Sequence, residues 1–405
     1  MRGWSFQRIG AWMALAGGVL LGAMTSASAQ PATVPGEATP TAATDPGLHA
    51  PGYRDYAPAM MTLRHGELTV RPHVRLELRA GLLTGEDNQL LRGDLAERPG
   101  FGMPRARFGA TGQLADHVPY TVVTDLASAA AGGSGALTDA WFGYERFRYL
   151  KMYFGVRTVP FSYQAILSSA DSGLSERAHG SNAMAPFRQV GLTLGGDYDL
   201  AGISWRLGVY NGFDRKPNFY AGAVNGAGLR GNRFHGLSFV GRLQTQPLGQ
   251  VGPEVADLDG GDFRLSLGGG GYFNDSGAGV MTGYSADLHV KAMGFHLLVE
   301  WIRDGADPVE QPTTGQTLPE SLQRQALSVE AGYTRGKLGL AVRAEQIDPN
   351  LAVENNDDEL WLSGAVTWHF IRNMLRAQLQ YDHRRESAGQ PYDNDTLLAK
   401  IALRY

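Results

Sequence analysis

Arg71, Arg75 and Arg79 stand four residues apart in a run whose even positions are apolar (Leu68, Val70, Val74, Leu76, Leu78) and whose odd positions are nearly all charged (Arg71, His73, Arg75, Glu77, Arg79). Guanidinium groups spaced in this way on an extended chain fall ~13 Å apart at a rise of ~3.3 Å per residue. Weak sites in series are what conduction of an anion requires. Arg suits such sites because its planar fork pairs with phosphate or carboxylate and keeps its charge at every working pH. Bond-making chemistry has less support. The chain holds no Gly-x-Ser-x-Gly elbow and no His-Glu-x-x-His motif, and His73, His289, His296 and His369 are scattered over separate segments. Asp257-Leu-Asp-Gly-Gly-Asp262 begins like a calcium loop but lacks the later Glu, so it reads as a turn. The absence of Cys excludes thiolate zinc sites and disulfide scaffolds. These residues predict neither an enzyme nor a bound metal or cofactor.

The elements that position such side chains recur along the chain. From Glu67 to Tyr405 a period of two appears in sixteen segments: 67–79, 104–112, 119–127, 138–145, 150–157, 187–195, 203–211, 235–244, 262–272, 282–291, 293–303, 325–333, 339–346, 359–370, 374–383 and 395–405. Successive side chains of a strand point to opposite faces, so each segment predicts a strand with one polar and one apolar face. The breaks alternate between long (80–103, 158–186, 304–324, 347–358) and short (113–118, 196–202, 334–338, 371–373). Long external loops and short periplasmic turns are the asymmetry of a transmembrane barrel, and an even strand number agrees. The connection 245–261 is long where the alternation requires a short one.

Parity alone leaves open which face is outward. Too many large charged side chains share the polar face for a soluble core, and sixteen strands close into a tube wide enough for water. The predicted fold class is all-β, a 16-stranded antiparallel transmembrane β-barrel. Phe108, Phe142, Tyr144, Phe154, Trp205, Phe295, Trp301, Tyr333, Trp368 and Phe370 on the apolar face fit the aromatic girdles of such barrels.

Composition bounds the alternatives. The chain has 405 residues, 54 of them Gly, with 19% charged residues and a formal charge of -4. A mildly acidic balance argues against a nucleic-acid partner. A mean hydropathy of -0.22, with no 18-residue apolar run beyond residue 30, excludes a helical membrane protein. The length would suit two soluble domains, but the Gly excess points to strands that bend or pack tightly. Arg2, Arg8, the apolar stretch Ile9 to Met24 and Ala27-Ser28-Ala29 form a secretory signal peptide, 1–29, with cleavage before Gln30. Residues 30–66 read as a flexible, Pro- and Ala-rich periplasmic lead-in, and 67–405 as the barrel. Loss of Arg2 and Arg8 takes the charge to -6.

With the polar parity as lumen, about fifteen basic residues face about ten acidic ones, a basic lining inside an acidic shell. Closing the barrel sets the last strand beside the first. Arg376, Lys400, Arg404, Arg71, Arg75, Arg79, Arg105 and Arg107 then fall on four neighbouring strands, with Lys151 and Arg157 further round. These ten residues form the predicted anion ladder. Asp125, Asp139 and Glu145 lie on the next two strands and would set up a transverse field. The first reading is a passive channel for small anions, with phosphate one candidate. Two others stay open: a general, non-specific diffusion channel with that transverse field, and a non-conducting structural or adhesion barrel.

One stretch adds a resemblance. Asp139-Ala-Trp-Phe-Gly-Tyr144, Leu150-Lys-Met-Tyr-Phe-Gly-Val-Arg157, Val159-Pro-Phe161, Ser175-Glu-Arg-Ala178, Asn182-Ala-Met-Ala-Pro186, Arg188-Gln-Val-Gly191 and Gly208-Val-Tyr-Asn-Gly212 are similar to the phosphate-selective porin O and P family of Gram-negative outer membranes. The resemblance implies a homotrimer of 16-stranded barrels with the third external loop folded into each lumen. The 158–186 connection occupies that position, and Asp171, Glu176, Arg177 and His179 would line its eyelet. The chain ends Ile401-Ala-Leu-Arg-Tyr405, an alternating strand closing on an aromatic, which resembles the signal read by outer-membrane assembly machinery. The chain departs from the family in holding only five Lys and in carrying the acidic run Glu354-Asn-Asn-Asp-Asp-Glu359 in an external loop. Those acids would repel phosphate at the mouth and could instead bridge divalent cations of the lipopolysaccharide layer.

Overall fold

A computed structural model of the chain describes residues 62–83, 100–127, 136–215, 224–225, 236–275, 279–308, 322–354, 358–388 and 395–405. All of them lie within one unit, Thr44–Tyr405. The predicted signal peptide and most of the predicted lead-in fall outside the described residues.

Each alternating segment forms a strand. In chain order they are β1 (Leu68–Leu83), β2 (Gly100–Leu114), β3 (Val118–Asp125), β4 (Ala136–Phe147), β5 (Leu150–Thr158), β6 (Arg188–Tyr198), β7 (Ile203–Asn211), β8 (Leu237–Thr245), β9 (Arg264–Asp275), β10 (Gly279–Ala292), β11 (Phe295–Pro308), β12 (Leu322–Arg335), β13 (Leu338–Asp348), β14 (Glu359–Ile371), β15 (Leu375–Glu386) and β16 (Thr396–Arg404). Every strand pairs antiparallel with its sequence neighbours, and β16 pairs with β1 from Arg404↔Arg75 to Thr396↔Leu83. Tyr405 completes the seam by exchanging backbone hydrogen bonds of 2.8 Å with Val74. A barrel closed in this way has no free edge.

Several strands outrun their sequence pattern. β1 continues to Leu83 and β11 to Pro308, because ladder hydrogen bonds persist where apolar alternation has ended. The last residues of the lead-in, Leu63–His65, pair back onto Leu68–Val70 across Gly66. Apart from 246–263, the described turns at the short end hold two to four residues, and Met293-Gly294 takes positive φ at both positions, as a two-residue hairpin turn needs.

Burial settles the question of faces. Val342 is 61% exposed while Arg343 beside it is 2% exposed. Leu78, Phe142, Leu207, Val366 and Ile401 are likewise exposed, and Glu77, Arg242, Asp287, Glu345 and Lys400 are buried. The outer face is apolar and the inner face charged, which is a soluble protein turned inside out. Some of the exposed aromatics lie at the short-turn end, among them Phe147, Tyr149, Tyr198, Trp368 and Phe370, with Tyr149 and Tyr198 stacked 4.9 Å apart.

Candidate functional site

Between β5 and β6 the chain runs through the 29 residues 159–187, which include the short helices α1 (Tyr163–Ile166) and α2 (His179–Met184). Ser162 caps α1 by accepting the Ala165 N–H at 3.1 Å. The segment bonds to inner-face side chains of strands on many sides. Arg75 on β1 donates to Ser168 and Ser169 at 3.1 and 2.7 Å, and Arg105 on β2 forks onto Glu176 at 2.6 and 2.7 Å. Arg242 on β8 and Ser285 on β10 donate to the Phe161 carbonyl. Glu300 on β11 accepts from the Gln164 N–H at 2.9 Å and from the Ser181 hydroxyl. Glu345 on β13 accepts the His179 N–H at 2.6 Å, and Trp361 on β14 stacks on the His179 ring at 3.9 Å. On β15, Arg376 donates to the Ser172 carbonyl and Gln378 to that of Gly173, both at 2.8 Å, while Gln380 accepts the Ser175 N–H at 2.7 Å. On β16, Lys400 donates to the Ser175 carbonyl, and one guanidinium nitrogen of Arg404 donates to both Asp171 carboxylate oxygens at 2.7 and 2.8 Å.

Apolar packing supports these bonds. Val159, Phe161, Met184, Tyr210, Phe213, Ile302, Ile347 and Trp361 form a buried cluster between the segment and the wall. The approach is close enough to demand glycine. A Cβ on Gly180 would meet the Ala326 Cβ at 2.3 Å, and one on Gly173 would meet Glu330 Oε1 at 2.1 Å.

The predicted ladder divides. Arg75 and Lys400 are buried against Glu77 together with Arg105, so three cations share that carboxylate, with Glu176 as the second acid of the cluster. Arg376 is buried beneath the segment. Arg105 and Arg107 keep about 15% of their side chains exposed, and Arg71 and Arg79 are half-buried. Lys151 pairs with Asp197 at 2.9 Å near the turn end. Arg157 lies buried over the Tyr153 ring at 3.9 Å and the Trp141 ring at 4.9 Å. Of the four predicted eyelet residues, Glu176 and His179 keep some exposure and Asp171 is buried on Arg404. Arg177 turns back into its own segment, donating to the Leu167 carbonyl at 2.9 and 2.5 Å.

The inner face is therefore uneven. Its charges on β8 and β10–β15 (Arg242, Asp287, Glu300, Glu330, Arg343, Glu345, Arg376) are almost wholly buried, while Arg105, Arg107, Asp125, Asp139 and Arg188 on β2–β6 remain partly exposed. Two ion pairs missed in the sequence line this side: Arg107–Asp125 at 2.8 Å and Arg188–Asp139 at 3.1 Å. Arg188 and Asp139 stood in the resembling motifs, but nothing in their spacing places them 49 positions apart in one pair. Outside the strands, burial pushes the Glu176 carboxyl up, but Arg105 and Lys400 outweigh it and bring it down to about 2. Glu359, the last residue of the acidic run, is buried and bonded to Arg384 and to Trp361 Nε1, and 355–357 lie outside the described residues.

A closed barrel with an exposed apolar belt, a charged inner face and a long segment bonded to that face matches known proteins. Residues 86–235 match the model of the phosphate-selective porin O and P family. That span contains the residues carrying the resemblance. The fold is that of outer-membrane porins. At 13% identity and a TM-score of 0.55, the chain resembles a loop-deletion form of OmpT from Vibrio cholerae, covering 84% of this chain and 100% of that one. OmpF from Salmonella typhi gives 13% identity and a TM-score of 0.55 over 85% and 100%. An anion-selective porin from Comamonas acidovorans gives 12% and 0.54 over 84% and 100%. No curated protein sequence matches the chain. The matched model and the similar structures are those of porins, channels that select by diameter, charge and hydrogen bonding.

Proposed function

We propose that the protein is a passive outer-membrane diffusion channel that favours small anions. The observation that carries this reading is the cluster of Arg75, Arg105 and Lys400 around Glu77 and Glu176, where cations outnumber carboxylates, with Arg376 and Arg404 on adjoining strands. Segment 159–187 is the third long connection, and its hydrogen bonds to β1, β2, β8, β10–β13, β15 and β16 support its lying across the lumen as the constriction. Permeating ions then pass along β2–β6, where inner-face charges keep their water. Phosphate is one candidate solute, since the partly exposed guanidinium of Arg107, which meets Asp125 through Nε, has the geometry of a forked donor. The porin fold, shared with a trimeric form of OmpT, supports a homotrimer.

Reversal potentials in planar bilayers under a salt gradient test the preference. The wild-type protein is expected to favour chloride over potassium, and Arg105→Ala with Arg107→Ala to shift the preference towards cations. A cation-selective wild type, or a double variant with unchanged preference, would refute anion selectivity. Added phosphate should depress the chloride current if it binds. The pairs Arg107–Asp125 and Arg188–Asp139 favour a second reading, a general diffusion channel with a transverse field. That reading predicts a reversal potential near zero and ready passage of zwitterions.

A further inference from the structure

The 18-residue connection 246–263, between β8 and β9, stands at the end where the other described connections hold two to four residues. Its acidic part is bound at the rim. Asp257 pairs with Arg264 and accepts the Gly294 N–H at 2.8 Å, Asp259 accepts from Arg372 at 2.7 Å, and the Gly261 carbonyl accepts the Met293 N–H at 2.7 Å. The stretch before this acidic part reaches the inner face. Lys291 on β10 donates to the Glu254 carbonyl, and His289 bonds to the Val255 carbonyl at 3.1 Å. The Val255 N–H then donates to the Asp171 carbonyl at 2.8 Å, joining this connection to segment 159–187. Val255 is 1% exposed and packs with Tyr163, Leu167 and Leu298.

Two segments anchored at opposite ends of the barrel thus meet in a backbone hydrogen bond and an apolar cluster. A hydrated ion cannot cross such a cluster without losing its water, which is costly. We propose that the 246–263 connection is a second constriction element, entering from the periplasmic end. It braces segment 159–187, closes the lumen beside β10 and β11, and so sets the size limit for solutes. The proposal rests on the channel reading above.

The chain contains no Cys, so a single introduced thiol reports on this contact without background. Leu167→Cys should resist a membrane-impermeant maleimide in the otherwise intact, folded barrel. Replacing 251–256 by Gly-Gly, or introducing Val255→Asp, should raise its labelling rate at least about tenfold, as expected for loss of a local closed state. The same changes should raise single-channel conductance about twofold or more and admit larger neutral sugars in liposome swelling, since diameter governs passage. Retained β-sheet circular dichroism and heat-modifiable migration establish that the barrel is folded. Unchanged labelling and unchanged conductance in both folded variants would overturn the proposal. Labelling that rises while the intact protein never conducts would sink the channel reading but keep the contact between segments. An intact protein that conducts and variants that conduct no better would sink the size-limit role alone.

Discussion

Glu77 is the residue on which the cationic cluster depends, since its fully buried carboxylate faces Arg75, Arg105 and Lys400. Removing one partner from a buried charge cluster costs about 3–5 kcal/mol, because the remaining charges stay buried. Glu77→Gln is therefore expected to lower the denaturant midpoint of the folded barrel and to make the current more anion-selective. Chemical denaturation followed by circular dichroism, together with reversal potentials, checks both. Glu176 supplies the pH prediction. A carboxyl brought below its ordinary value stabilises the folded state above the unfolded value of 4.5 and loses that contribution as the pH falls through about 2. Conductance should then stay constant from pH 7 to about 4 and change only towards pH 2, as the Arg105–Glu176 pair breaks. A transition near neutral pH would assign control to another group. Glu254 behaves in the opposite way. Burial and the charge of Asp171 push its carboxyl up against Lys291, so its ionised form burdens the fold once the pH rises above the unfolded value. Glu254→Gln should raise thermal stability at pH 8 relative to pH 4, read as the difference in melting temperature.

At the scale of elements, the position of segment 159–187 rests on contacts that only glycine permits. Gly180→Leu forces a side chain onto Ala326, and overpacking of this kind costs about 1–3 kcal/mol. The expected result is a displaced α2, a lower unfolding midpoint and a larger conductance. Gly364 on β14 has no atom within 4 Å of where its Cβ would stand, so Gly364→Ala should leave conductance and stability unchanged. A Gly180→Leu protein that conducts like the control would show that the segment tolerates movement or lies off the path. The wall strands differ in kind from this segment. Each is held by two ladders, so single changes on their outer faces should have small effects so long as the residue stays apolar.

The molecule as a whole combines an apolar outer belt with a charged interior, an arrangement suited to a bilayer or a detergent shell. Closure depends on β16 meeting β1, and Tyr405 contributes two of the hydrogen bonds that complete the seam. Deleting Tyr405 is expected to reduce the yield of heat-modifiable barrel in outer-membrane fractions several-fold, while refolding in detergent is affected less. Equal losses in both settings would make the residue purely structural. Native mass measurement in detergent should find three copies.

Strand number, strand order and the split into an apolar and a polar face were all legible in the sequence. A period of two follows from strand geometry at each residue, and sequential antiparallel pairing needs no long-range information. The anomalous length of the 245–261 connection was visible too, though its use was not. Tertiary structure decided what lies across from what. Arg188 meets Asp139, Glu77 gathers Arg75, Arg105 and Lys400, and Val255 meets Leu167, because barrel closure and two long connections bring together residues far apart in the chain. It also decided that Arg75, Arg376 and Lys400 are buried against segment 159–187, while Arg105, which binds it through Glu176, and Arg107 keep contact with water. Alternation is a local property and can be read along the chain. The partner of a charge depends on the path of every loop between, which no local pattern encodes.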